Sequence, residues 1–175
     1  MIIVDDRLLF DVLAGTESVE LLHAASDGVA TTFSWFYRLA RAIATGRIEG
    51  SLTRHYGDLT AERQRHVSGL LNNLADRVEI IAPKEVVPVM AALATVANLN
   101  VLTAEAIASS MVLEAPIHVA TRSARLDRAA QLAGVEVRLT THATRRTSAL
   151  RASAMRCSVG AVGVVAPRSM RLMSP

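Results

Sequence analysis

Between Leu102 and Leu139 the chain alternates helical and strand patterns, with a cap or a stop at every joint. That alternation restricts the fold more than any other feature. Thr103 is a candidate N-cap for a short, almost wholly apolar helix that carries Glu105 in its first turn. Pro116 closes the approach to an apolar strand, Ile117 to Ala120. Ser123 then caps a second helix in which Leu126, Ala129, Ala130 and Ala133 follow the i, i+3, i+4, i+7 rule. Gly134 supplies a left-handed stop, and Val135 to Leu139 form the next strand. Two short strands bridged by one helix make a βαβ unit, which implies a parallel sheet with right-handed crossovers.

The residues before this unit extend the pattern. Met1 to Asp5 reads as an apolar strand ending in the acidic pair Asp5–Asp6, followed by a helix with Leu8, Leu9, Val12 and Leu13 apolar and Gly15 as its stop. Thr16 is the expected cap of a second helix reaching about Ala25. Val29 to Thr32 forms another strand, and Ser34 opens a helix to about Thr45. Four of the six aromatic residues fall between Phe33 and Tyr37; such a cluster can stack bases, but its helical spacing predicts packing. Residues 46–58 are polar and glycine-bearing, as in a loop or hairpin. Thr60 caps a helix with Val67, Leu70, Leu71 and Leu74 inward, Val78 to Ala82 is the third strand, and a helix follows from near Lys84 to about Asn98. Pro88 fits if it falls in the first turn, where N–H groups need no partner.

Charge separates the chain into two parts. Residues 1–140 hold 13 basic and all 16 acidic residues, whereas residues 141–175 hold six arginines and no acid. The folded part, residues 1–139, is therefore mildly acidic, and the segment 140–175 is a basic tail whose lack of periodicity predicts poor order. With 51% hydrophobic residues, 175 residues suffice for one substantial core. The lone Cys157 has no internal disulfide partner, and neither a leader-like pattern nor an apolar run of about 18 residues occurs. These features predict a cytoplasmic protein with no membrane association.

Ligands of open parallel sheets bind beyond the carboxyl ends of the strands. Asp5 and Asp6 close the first strand, and Thr121 to Ser123 close the fourth. A helix leading into the fourth strand runs antiparallel to it, so its amino end, with Glu105, lies on the same side of the sheet as Asp5. Convergent carboxylates suit Mg²⁺ or Mn²⁺, which take oxygen ligands and can activate water against a phosphodiester. The same acids at helix starts also favour the helix amino ends. His23, His55, His66, His118 and His142 lack zinc-ligand spacing.

The order of elements, the opening IIVDDRLLFDVL, the segment TAEAIASSMVLEAPIHVATRSARL and the run AAQLAGVEV resemble the PIN-domain nucleases, including the VapC-type toxins. The resemblance spans roughly residues 1–139. It implies an α/β domain with a five-stranded parallel sheet in the order 3-2-1-4-5, Asp5 beside Thr121, and Mg²⁺- or Mn²⁺-dependent RNA cleavage. Asp5 takes the place of the family's first acid, and Glu105-Ala106 that of its Asp-Ala pair. Arg38-Leu39 stands at the Glu-Leu position and Thr121-Arg122-Ser123 at Thr-x-Asp, so two acids are replaced, by Arg38 and Ser123. Asp6 stands where Thr or Ser is usual and offers partial compensation. Asp5 and Glu105 are thus the expected metal ligands and catalytic acids, with Asp6 in reserve. Arg38 is expected to pair with Asp5 or Glu105 in the metal's place.

The function implied is a PIN-like protein of the toxin endonuclease type with weak or absent cleavage. The alternative is a non-catalytic PIN-like module that binds RNA or a protein partner. RNA, a cognate antitoxin and a second copy of the chain are the partners the resemblance suggests. A receiver domain, which also opens with IIVDD, would need an acceptor aspartate where the third strand ends Ile81-Ala82-Pro83.

Overall fold

A computed structural model of the chain describes residues 1–45, 52, 56–71, 73–74 and 78–140. The expected basic tail beyond Thr140 and most of the polar stretch 46–58 lie outside the described residues. The fold is α/β, built on a five-stranded, all-parallel sheet in the order 3-2-1-4-5. The strands are β1 (Ile2–Val4), β2 (Val29–Thr32), β3 (Glu79–Ile81), β4 (Ile117–Val119) and β5 (Val137–Leu139). Seven helices are described: α1 (Asp6–Ala14), α2 (Val19–Ala24), α3 (Phe33–Thr45), α4 (Ala61–Leu71), α5 (Pro83–Val96), α6 (Val101–Leu113) and α7 (Ala124–Ala133).

Alternation along three-residue strands divides the core in two. Side chains of successive strand residues point to opposite faces. Ile3, Ala30, Ile81, Ile117 and Val119 therefore pack with Ala106, Ile107 and Ala108 of α6 and with Leu126, Ala129 and Ala130 of α7. Ile2 and Val4 face the other way, onto Leu8, Leu9 and Leu13 of α1, Leu21 of α2, Leu39 of α3 and Val67 of α4. A sheet covered on both faces explains why β1 is apolar without interruption. Each fully buried Ile or Leu contributes about 1.5–3 kcal/mol by leaving water.

Glycine ends two helices as the sequence requires. Gly15 and Gly134 adopt φ of 62° and 68°, the left-handed conformation that residues with a Cβ rarely take. Three local expectations are corrected. Ser18, not Thr16, caps α2, its Oγ accepting from the Leu21 N–H at 3.2 Å; the Thr16 hydroxyl lies against Asp11 instead. Asn100, not Thr103, caps α6, its Oδ1 accepting the Thr103 N–H at 2.9 Å. The helix thus begins earlier, and Glu105 lies in its second turn. Pro88 lies inside α5, beyond the first turn. The carbonyl that loses its donor belongs to Lys84, an exposed residue at the amino end, where water can serve it.

No single described helix is long and apolar enough to cross a membrane, and the apolar pair α5–α6 is bent by 117° at its break.

Candidate functional site at the carboxyl edge of the sheet

β1 and β4 are adjacent and parallel, with Val4 opposite His118. Their carboxyl ends, together with the amino ends of α1, α6 and α7, enclose a cleft of about 200 Å³. Asp5, Asp6, Arg38, Thr103, Thr121 and Ser123 line it, and Trp35 and Leu126 form apolar wall. Asp5 and Thr121 thus meet at neighbouring strand ends.

Asp5 is held by backbone donors on two elements. Its Oδ1 accepts the Leu8 N–H at 2.9 Å, capping α1. Its Oδ2 accepts the Ala120 N–H at 2.9 Å, and its own N–H donates to the His118 carbonyl at 3.1 Å. Burial pushes the Asp5 carboxyl up to about 6, against the lowering effect of the Leu8 and Ala120 N–H groups. This side chain ties the start of α1 to the end of β4.

Asp6, the next residue, has a different partner. Its Oδ2 lies 3.1 Å from Arg38 Nε, but off the N–H direction, so the contact is an ion pair without an aligned hydrogen bond. Burial still raises the Asp6 carboxyl above its ordinary value, with the Arg38 charge opposing. The expected pairing of Arg38 with Asp5 or Glu105 is therefore replaced by Arg38–Asp6. The cause is geometric: Asp5 is already turned toward its two backbone donors.

Glu105 is buried but does not line the cleft. Its carboxylate takes the Ser34 N–H, at 3.2 and 3.4 Å to the two oxygens. Ser34 is the second residue of α3, so Glu105 places its charge where a helix amino end favours an anion. The same helix start uses Thr32, whose Oγ1 accepts the Trp35 N–H at 3.2 Å. The structure therefore brings Asp5, Asp6, Arg38 and Ser123 into one cleft and assigns Glu105 to the start of α3.

Ser123 caps α7, with Oγ 3.5 Å from the Leu126 nitrogen. Its place in the cleft follows from that cap. Nearby, His118 is buried in β4, Nδ1 lying 2.9 Å from Thr140 Oγ1, while the Thr140 N–H continues the ladder to the Val119 carbonyl. Sequence reasoning missed Thr140 as a partner of β4; Thr after Leu139 gave only a weak strand-extension signal.

The residues present do not fit a Mg²⁺ or Mn²⁺ site. Among the described residues, no three carboxylate, imidazole or thiolate side chains converge. Both Asp5 oxygens accept backbone N–H groups, Asp6 faces a guanidinium, and Glu105 is turned away. No protein-family model matches the chain, and no curated protein sequence matches it. The fold and the cleft define an open parallel α/β protein with an acidic strand-end site carrying its own internal cation.

Proposed function

We propose that this chain is a PIN-like domain of the VapC type that acts on RNA as a ligand, with little or no metal-dependent cleavage. The observation that carries the reading is the Arg38–Asp6 pair at 3.1 Å, beside Asp5 in the strand-end cleft. The sheet order and the position of Asp5 support the family resemblance. Arg38 and Ser123, standing at two acidic positions of the family pattern, support loss of its chemistry. At an effective dielectric of about 20, unit charges about 4 Å apart attract by roughly 4 kcal/mol before desolvation and solvent screening. A dication must compete with that resident cation while holding fewer carboxylates.

Calorimetric titration with Mn²⁺ and a single-stranded RNA cleavage assay test the proposal. The wild type should bind Mn²⁺ weakly and leave the RNA intact. Arg38→Glu with Ser123→Asp should raise Mn²⁺ affinity, because Asp preserves the α7 cap while adding a ligand. Robust wild-type cleavage that disappears in Asp5→Asn would overturn the reading. Melting curves accompany that variant, because Asp5 also anchors α1.

A further inference from the structure

The aromatic cluster of α3 is split. Trp35 is buried in the core, whereas Phe33 and Tyr37 are 46% and 55% exposed. Their rings stack on each other, with centroids 6.5 Å apart and planes 15° from parallel. At 100° per residue, Phe33, Tyr37 and Arg41 form a stripe opposite Trp35 and Leu39, the buried residues of this helix. Arg41 is exposed, has no ion pair among the described residues, and lies one turn, about 6 Å, beyond Tyr37. Arg38 projects from the adjoining side of the helix, half exposed, its guanidinium reaching the cleft.

We propose that this face of α3 is a platform for unpaired nucleobases of a single-stranded RNA: Phe33 and Tyr37 offer the stacking surface, and Arg41 and Arg38 meet the flanking phosphates. The inference rests on the RNA reading above and adds a binding surface that adjoins the acidic cleft at Arg38. A ligand matching this face must be flat and apolar where it meets the rings, and anionic on either side. Single-stranded nucleic acid has that combination, because every base has a π-face beside a phosphate. Duplex bases are stacked away from such a surface, and the exposed stripe carries no carboxylate to attract a basic partner.

The test uses the full chain and a labelled single-stranded RNA of mixed sequence, the same RNA as a duplex, and the matching single-stranded DNA. Binding is read by fluorescence anisotropy over a salt series. Phe33→Ala and Tyr37→Ala should each weaken single-strand binding by about 5- to 100-fold, with an unchanged salt slope. Tyr37→Leu, which keeps apolar area but removes the ring, should lose nearly as much. Arg41→Ala should lower the slope by about one. Melting temperatures should stay constant, because both rings are exposed. Single-strand binding that is indifferent to both ring variants overturns the platform and leaves the RNA reading standing. Absence of RNA binding by the wild type overturns both. Equal binding of the DNA strand supports the platform and removes RNA selectivity from the function. Ring-dependent self-association, seen by light scattering, together with RNA binding unaffected by the rings, overturns the platform in favour of a second copy of the chain.

Discussion

Two acids at the carboxyl edge of the sheet have similar burial and opposite roles. Asp5, at the end of β1, faces the cleft, and its two oxygens bridge α1 and β4 through the Leu8 and Ala120 N–H groups. Glu105, in the second turn of α6, reaches across to a single backbone donor at the start of α3. The shorter side chain is fixed by its own helix start, and the longer one has the reach to serve another. Burial alone therefore does not make an acid a ligand: what matters is whether the carboxylate also lines the open cleft. Asp5 lines the cleft while held by the Leu8 and Ala120 N–H groups. Glu105 lies outside the cleft.

The largest effect should separate these two roles in stability. Asp5→Ala removes an N-cap and leaves two N–H groups without their acceptors. Losing a cap costs about 0.5–2 kcal/mol, and an orphaned buried donor about 1–3 kcal/mol. We expect a total near 3 kcal/mol, or a drop in Tm of about 6–12 °C for a chain of this size. Glu105→Gln keeps an oxygen facing the Ser34 N–H and should cost less than about 1 kcal/mol. Urea unfolding of the two variants measures the comparison; equal losses would remove the distinction.

A smaller effect appears in pH dependence. Burial holds the Asp5 carboxyl near 6 in the folded protein, above its value in an unfolded chain. The folded state therefore keeps a proton that the unfolded state releases, and this contribution to stability is lost as pH rises through about 6. Asp11, pushed up to about 7 by burial, acts in the same direction. His118 opposes both: burial lowers its pKa, so its contribution is lost as pH falls below about 6.5. Subtracting the Asp5→Asn stability from the wild-type stability isolates the Asp5 contribution. That difference should be larger at pH 5 than at pH 8 by about 1.4 kcal/mol. A difference that does not change with pH would mean that Asp5 is an ordinary surface-like carboxylate. One that grows with pH would mean that its hydrogen bonds outweigh its burial.

Sequence patterns reached the fold further than the site. β1 is a run of apolar residues that only a doubly covered strand can use, and Gly15 and Gly134 mark helix ends by a backbone requirement rather than a preference. Those signals are local and have few competing solutions. Cap selection was less legible: Thr16 and Thr103 were the expected caps, whereas Ser18 and Asn100, residue types that rank above threonine at this position, hold it. The site was less legible still. The acids' positions at the strand end followed from topology, but the partner of Arg38 depended on the orientation of Asp5, which is set by Ala120, 115 residues away. The aromatic cluster showed the same limit: its spacing predicted packing, which holds for Trp35, while Phe33 and Tyr37 turn outward.

The smallest effect concerns Arg38 and sharpens what kind of cation it is. Its side chain is 49% exposed, and its ion pair with Asp6 lacks an aligned hydrogen bond. Solvent screening should limit the net contribution of such a pair to below about 1 kcal/mol. Arg38→Met keeps most of the aliphatic stem that covers the helix surface and removes only the charge. Asp6 is then a buried acid with its main lowering influence gone, so its pKa should rise further. Toward acid pH a raised carboxyl takes up a proton more readily, so the loss should be smaller at pH 5 than at pH 8. At pH 8 ionised Asp6 stays without its cation, and a loss of up to about 1 kcal/mol should appear. Mn²⁺ affinity should rise modestly in the same variant, because the cleft loses its resident competitor without gaining a ligand. Paired urea titrations at the two pH values, with Mn²⁺ calorimetry at the higher one, decide the matter. A loss above about 2 kcal/mol at both values would show that Arg38 is part of the core, and that its place in the cleft is structural.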